Sequence, residues 1–443
     1  VALEDLLMAM EDADRQRHQQ IHHALQIYHG NQPKPLRVLP GEPDDNIRLN
    51  LAGLVVDTGV DALFGQDIII QCEDEDGGIK EDSTSWLYDA YRYNHDMLLW
   101  QSAAINGAVA GQSAVRIIPA PEGSPAGSYP RVIVVDPEML RVIWSPDDVG
   151  VVEAYVLQWV ARDILGREFG KRQVMYRDGN EWVIEDQVAR IANPSSWETV
   201  AQTPWRFSWA PIVAVQNLPE PNSYWGRPDL TSDVLETQLA INRVMSNAAR
   251  VQRIHGHPKV VAKGVGEGDL DVGPDEAIVL PDVDSEISLL EPSAKVTDHI
   301  DLFKTVKSAL HEISRVPEVT AGKLDNIGQL SGLALKILYG PLVRKTEVKR
   351  RLYGDMVRRT SAYMLELGGY GPSSSINIQW PEIVPDDPMM EATAAEALQR
   401  AGVSQATALS EMGYDPETEA ERRAQERTNI GEALLTAFDR GNE

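Results

Sequence analysis

Apolar residues between positions 230 and 251 fall at Leu230, Val234, Leu235, Ile241, Val244, Met245, Ala248 and Val251, the three-to-four spacing of one helix face. Pro228 suits a first helical position and Asp229 complements the positive helix end. A helix of about 26 residues, roughly 39 Å long, is therefore expected from there to the stop at His255-Gly256-His257-Pro258. Short strand-like runs follow at 260–262, 277–280 and 287–290, among Gly and Asp turns. A second helix is expected from Thr297, a suitable N-cap, through Ile300, Leu302, Phe303, Val306, Leu310 and Ile313 to Val316, where Pro317 ends it. Residues 318–330 read as a loop, with Gly322, Asn326 and Gly328. A long helix then spans 331–367, and Gly340-Pro341 is expected to kink it, because proline removes a ladder donor and its ring collides one turn back. Residues 375–380 alternate as a strand, 381–388 form a proline-rich connector, and short helices follow around Gly402 and Gly413.

Before residue 226 the texture mixes both periodicities. Helices are expected up to Tyr28, over 50–63 and over 98–109, with stops at Gly30-Asn31 and Gly65. Strands are expected at 114–118, 131–135, 140–144, 154–160, 173–176, 182–185 and 212–216, with antiparallel pairing as the default. Nine of the ten tryptophans lie in this half, which places the large core there. The fold class is α+β.

Composition narrows the function. Hydrophobic content of 43% and charged content of 24% in 443 residues describe a folding chain larger than one typical domain. No apolar run approaches the length a membrane helix needs, and the first residues carry acids where a signal peptide carries bases. The single cysteine, Cys72, excludes an internal disulfide or a cysteine metal site. The net charge of −26 argues against a basic surface that holds DNA tightly; it suits one that meets DNA and lets it slide. Against this background, Arg344, Lys345, Lys349, Arg350, Arg351, Arg358 and Arg359 form a basic rod, and residues 386–443 carry 13 acids and 5 bases.

Catalytic chemistry is not visible. Gly264-Val265-Gly266-Glu267-Gly268 lacks the Gly-Lys-Ser/Thr ending of a phosphate loop. Neither His255 and His257 nor His18, His22, His23 and His29 are completed to a metal shell by further ligands. Ser102, Ser113 and Ser331 have no nucleophile-elbow context, and Asp44-Asp45, Asp147-Asp148 and Asp386-Asp387 sit in turn-like sequence. No catalytic residue, metal or cofactor is expected.

What does carry information is the order of parts: long helix, small β insertion, second helix, loop, very long proline-containing helix. Ser331-Gly332-Leu333-Ala334-Leu335-Lys336 resembles the Ser-Gly-x-Ala-Leu-Lys start of the long helix in tailed-bacteriophage portal proteins of the Bacillus-phage type. Gly226-Arg227-Pro228-Asp229-Leu230 resembles that family's Gly-x-Ser-Asp-Leu, with Pro228 in place of serine. Tyr28-His29-Gly30, Asn50, Asp57 and Phe64-Gly65 are similar to its N-terminal series, and Gly402-Val403-Ser404 and Asp415-Pro416-Glu417-Thr418-Glu419 to its C-terminal helices.

The resemblance implies a multi-region portal fold. Its regions would be an α/β wing (1–226), stem helix 1 (227–256), a β-containing clip (257–296), stem helix 2 (297–316), a tunnel loop (317–330), a long kinked helix with a return strand (331–385) and a helical crown (386–443). It further implies a ring, usually of about twelve subunits, at one capsid vertex of the virion, assembled in the host cytoplasm. That ring would pass double-stranded DNA without reading its sequence and would bind the large terminase, then a head–tail adaptor, with scaffold and major capsid protein at the wing and crown. Within this frame Thr320, Lys323, Asn326 and Gln329 are expected to approach DNA. Asp229, Glu236, Arg243 and Arg250 mark the stem, Gly340 and Pro341 the kink. Arg344, Lys345, Arg350 and Arg351 are expected to bridge to acidic segments of neighbouring subunits. Competing readings are a metal-dependent DNA-processing enzyme and a structural scaffold without a channel.

Overall fold

Tyr28 closes the first helix, α1 (Leu3–Tyr28), and its hydroxyl donates to Asp57 at 3.1 Å on α2 (Leu51–Phe64). Asn50 caps α2 by accepting from the Gly53 amide at 3.1 Å, and its own amide donates to the Tyr28 carbonyl at 2.7 Å. Polar capping and local pairing thus fix the angle between the two helices. The apolar face of α2, with Val55, Val56, Val60, Leu63 and Phe64, is buried. It packs on α4 (Met97–Ala110), where Trp100 stacks on Phe64 at 6.5 Å. Between them in sequence run β1 (Ile69–Glu73) and α3 (Glu81–Tyr93).

The chain described by this computed structural model comprises residues 3–74, 76–121, 123–125, 128–179, 181–190, 196–255, 259–263, 286–290, 296–318, 332–371, 375–383, 400, 402–411, 419–420 and 422. Gly111, at φ 82°, turns the chain from α4 into β2 (Gln112–Ile118). β2 is the centre of a three-stranded antiparallel sheet with β3 (Arg131–Val134) and β9 (Ile212–Gln216). A five-stranded antiparallel meander follows in sequence order: β4 (Leu140–Trp144), β5 (Val152–Arg162), β6 (Glu168–Asp178), β7 (Glu181–Arg190) and β8 (Glu198–Trp205). Ile143, Ala154, Val156 and Val174 form the buried cluster of this sheet. Trp209, past its last strand, lies flat on Tyr363 at 4.0 Å and donates to Glu366 at 2.7 Å.

α5 (Ser232–His255) and α6 (Val296–Ser314) pack side by side, and between them in sequence lies an antiparallel pair, β10 (Lys259–Lys263) and β11 (Glu286–Leu290). α7 (Gly332–Leu367) is the longest helix described, and β12 (Ser375–Gln379) pairs antiparallel with β1. Tyr353, Met356, Val357 and Met364 on α7 are fully buried. A short helix, α8 (Gln405–Glu411), lies in the C-terminal part. The chain divides into two compact units, Val1–Lys323 with Pro341–Pro381, and Leu324–Gly340 with Glu382–Glu443.

The structure corrects several expectations. α5 begins at Ser232, because the Thr231 carbonyl accepts the first ladder bond from Leu235 at 3.0 Å, while the Asp229 amide is held by the Ala108 carbonyl at 2.7 Å. β1, α3 and β8 were not expected. β8 is an exposed edge strand with almost no buried side chain and Pro204 near its end, so neither alternation nor propensity marks it. At Gly340-Pro341, where the kink is expected, α7 is helical on both sides, since a proline deletes one rung and leaves the flanking rungs to carry the helix. The expected strand at 277–280, the loop at 319–330 and most of the acidic C-terminal region lie outside the described residues.

Candidate functional site

The most constrained point in the described chain is the junction where the chain leaves the sheet core and starts α5. Gly226 and Gly111 meet there backbone to backbone: a Cβ on Gly226 would stand 2.5 Å from the Gly111 carbonyl, and one on Gly111 2.2 Å from that of Gly226. Only two glycines permit that approach. Asn217, fully buried, donates to the Arg227 carbonyl at 3.2 Å and accepts from the Tyr353 hydroxyl at 3.2 Å. Gly107 leaves room for that hydroxyl, since a Cβ there would lie 1.9 Å from it.

At the centre of the junction is Asp229, whose side chain has no exposure. Its carboxylate accepts from Lys349 at 2.5 Å and sits 3.0 Å from the Lys345 ammonium. Both lysines come from α7, four residues apart and hence on one face. Lys345 also donates to the Ser314 carbonyl at the end of α6 at 3.0 Å. Burial pushes the Asp229 carboxyl up, but the Lys349 and Lys345 charges outweigh it and hold its pKa down at about 2. Burial lowers the Lys349 ammonium, against the opposing pull of Asp229. One carboxylate thus faces two ammoniums in a dry site. The task this arrangement performs is mechanical: it ties the start of α5, the end of α6 and α7 to α4 at a single ionic knot.

A second polar set runs down α5. Gln238, Asn242 and Ser246 recur every four residues and are fully buried. They hold the segment 47–50 and the first turn of α2. The Ile47 amide donates to Ser246 at 2.9 Å, the Leu49 amide to Asn242 at 2.9 Å and the Ala52 amide to Gln238 at 2.8 Å, and the Gln238 amide donates to the Leu49 carbonyl at 2.7 Å. Gln32 bonds both Asn242 and the Leu49 carbonyl. Further along, Arg253 and Arg250 pair with Asp45 at 2.7 and 3.4 Å. Sequence reading missed this stripe, although a polar repeat every four residues on an otherwise amphipathic helix signals a buried polar face.

The predicted site residues are thereby sorted. Asp229 is buried in the junction and precedes α5. Glu236 and Arg243 are exposed on α5, while Arg250 is half-buried and donates to the Arg37 carbonyl at 3.0 Å. Lys345 is spent on Asp229 and Ser314. Arg350 lies over Trp380 and donates to the Pro381 carbonyl at 2.5 Å. Both have partners inside the chain, and Arg344 and Arg351 are the exposed members of that set. Arg359 pairs with Asp355 at 2.8 Å and donates to the Ala214 carbonyl. Gly340 and Pro341 lie within α7. Thr320, Lys323, Asn326 and Gln329 lie outside the described residues.

Among the described residues no group of three His, Cys, Asp or Glu side chains is placed to hold a metal, and no helix is long and apolar enough to cross a membrane. Residues 9–433 match a protein-family model described as "Phage portal protein, SPP1 Gp6-like". No curated protein matches the chain.

Proposed function

The chain belongs to the phage portal proteins of the SPP1 Gp6-like family, whose model spans nearly all of it, and from that premise we propose which part of the molecule does what. It is a phage portal protein, from a family that is structural rather than enzymatic. Portal proteins serve as the DNA-packaging channel at a capsid vertex. The finer proposal is a closed ring of about twelve copies related by head-to-tail contacts. In it α5 and α6 form the stem (227–256 and 297–316), and β10–β11 belong to the clip (257–296). Residues 317–330 form the tunnel loop, the N-terminal body (1–226) the wing, residues 331–385 the long helix with its return strand, and residues 386–443 the crown.

The observation that carries this reading is the pair α5 and α6, packed side by side, joined in sequence through the antiparallel β10–β11 pair and anchored by the Asp229 knot. A stem under load from translocating DNA needs such a fixed base. The net charge of −26 per copy supports a wall that repels DNA within the Debye length of about 8 Å and so does not retain it. Weak phosphate contacts from Thr320, Lys323, Asn326 and Gln329 are proposed for the loop. The clip would dock the large terminase during packaging and the head–tail adaptor afterwards, and scaffold and major capsid protein would meet the wing and crown. Assembly is placed in the host cytoplasm.

Negative-stain images together with the solution mass test the proposal. Annular particles of about twelve 49.0 kDa subunits, near 590 kDa, are expected. A species that stays monomeric across protein and salt concentrations would refute it.

A further inference from the structure

Between α1 and α2 the chain makes a loop, residues 33–46, that bonds to the last two turns of α5 although none of its own residues is buried. The loop keeps its shape by itself. Asn46 closes its neck, accepting from the Leu36 amide at 2.7 Å and donating to the Leu36 carbonyl at 3.0 Å. Lys34 pairs with Asp44 at 2.7 Å. At the tip Gly41, at φ 84°, supplies a left-handed step, and the Glu42 amide donates to the Leu39 carbonyl at 3.0 Å. None of these bonds involves α5, so the loop stays formed when it is away from α5.

Its hold on α5 differs in kind from that of the segment after it. Residues 47–50 and the first turn of α2 sit on Gln238, Asn242 and Ser246, which are fully buried. Beyond Ser246, every hydrogen bond and ion pair between α5 and the N-terminal residues goes, among the described residues, to Asp45 or Arg37. The Asp45 carboxylate faces two guanidiniums. Arg253 donates to both of its oxygens at 2.7 Å, and Arg250 reaches one at 3.4 Å while also donating to the Arg37 carbonyl at 3.0 Å. Glu42 adds a weaker attraction on Arg253. The two arginine side chains are 39% and 29% exposed, so salt screens this outer contact, whereas the inner ladder is closed to solvent.

We propose that the loop 33–46 is a clasp: closed, it ties the outer turns of α5 to the N-terminal body through Asp45, and it opens as a preformed loop hinged at its Leu36–Asn46 neck. Opening breaks only solvent-reachable charge pairs and one backbone bond, the class of contact that yields first in a folded chain. Once open, α5 and the α6 packed beside it stay attached to that body through the inner ladder and the Asp229 junction. The outer end of the helix pair is thereby released while its inner end stays fixed. The clasp lies within one copy and requires no contact between copies, so it stands or falls separately from the portal ring.

The test uses the full-length protein with nitroxide labels at Leu39→Cys on the loop and Gln252→Cys on α5, both exposed positions; the native Cys72 is fully buried and does not compete. Labelled protein is diluted into unlabelled protein, so that pulsed electron resonance reads the distance within one copy. A single short distance is expected at low salt. Raising the salt from 0.1 to 1 M, which cuts the Debye length from about 10 Å to about 3 Å, is expected to add a population longer by about 5 Å or more, a full helical turn. Asp45→Asn is expected to show that population already at low salt. Hydrogen exchange at the Ile47, Leu49 and Ala52 amides is expected to stay as slow as in the wild type at low salt. A distance that changes neither with salt nor with Asp45→Asn would overturn the clasp. So would exchange at those three amides rising together with the distance, since loop and ladder would then open as one unit. The salt series decides alone if Asp45→Asn does not fold.

Discussion

Replacing Asp229 by Asn is expected to destabilise the larger unit far more than replacing Lys349 by Met, although each removes one charge from the same pair. The wild-type knot holds one carboxylate and two ammoniums, with side-chain exposures of 0%, 2% and 6% for Asp229, Lys349 and Lys345. Asp229→Asn leaves two buried ammoniums facing each other without a counter-charge, a loss of about 3–5 kcal/mol. Lys349→Met keeps the Asp229–Lys345 pair at 3.0 Å and fills the vacated space with an apolar chain of similar length. Its cost is within about 1 kcal/mol, because burying an excess charge was itself unfavourable. At about 2.1 cal/mol/K per residue, a unit of roughly 360 residues unfolds with an entropy near 0.75 kcal/mol/K. Asp229→Asn should therefore lower the melting temperature by about 4–7 °C and Lys349→Met by under about 2 °C. Thermal melts followed by circular dichroism at neutral pH read the difference. Equal losses in the two variants, or an Asp229→Asn protein that melts like wild type, would refute the uncompensated-charge reasoning.

Acid should release the same knot. The folded pKa of Asp229 lies near 2, below its ordinary 3.8, so its contribution of about 2 kcal/mol is complete above pH ~4 and vanishes as pH falls through ~2; urea titrations should show wild type losing more stability over that window than Asp229→Asn does. Asn242→Leu should cost about 1–3 kcal/mol, because it removes the partner of the half-buried Leu49 amide and of the buried Gln32 and Gln238 side chains, and hydrogen exchange should show residues 47–52 opening first. Gly226→Ala should destabilise by at least about 1–3 kcal/mol, since its Cβ would meet three neighbours between 2.5 and 2.7 Å. Gly354→Ala on α7, whose Cβ would find nothing nearer than 3.7 Å, should instead stabilise by roughly 0.5–1 kcal/mol; chemical denaturation of the two variants checks the contrast in sign.

The elements that announced themselves in the sequence are those whose burial is one-sided. α5 and α6 present apolar residues at helical spacing, and β2, β4, β5 and β9 are runs rich in Val, Ile and Leu between turn residues. β8 gave no signal because its exposed side chains obey no pattern, and α3 opens on Glu81, Asp82, Ser83, Thr84 and Ser85, which read as turn chemistry. The family resemblance rested on short motifs whose physical reasons emerge only in three dimensions: Gly226 for its approach to Gly111, Asn50 for the α2 cap, Asp229 for the knot. The knot was illegible because Asp229 and Lys349 are 120 residues apart and the lysines looked like members of an exposed basic rod. Four residues of spacing between Lys345 and Lys349 put them on one face of α7, but only the fold shows that this face is the dry one.

A three-dimensional reconstruction of the assembled particle tests the central claim most directly. The account predicts a ring with an axial channel, the α5 and α6 helices of every copy arranged around it and the tunnel loop, residues 317–330, facing the lumen. A particle with no central opening, or a ring in which α5 and α6 stand away from the axis, would contradict it.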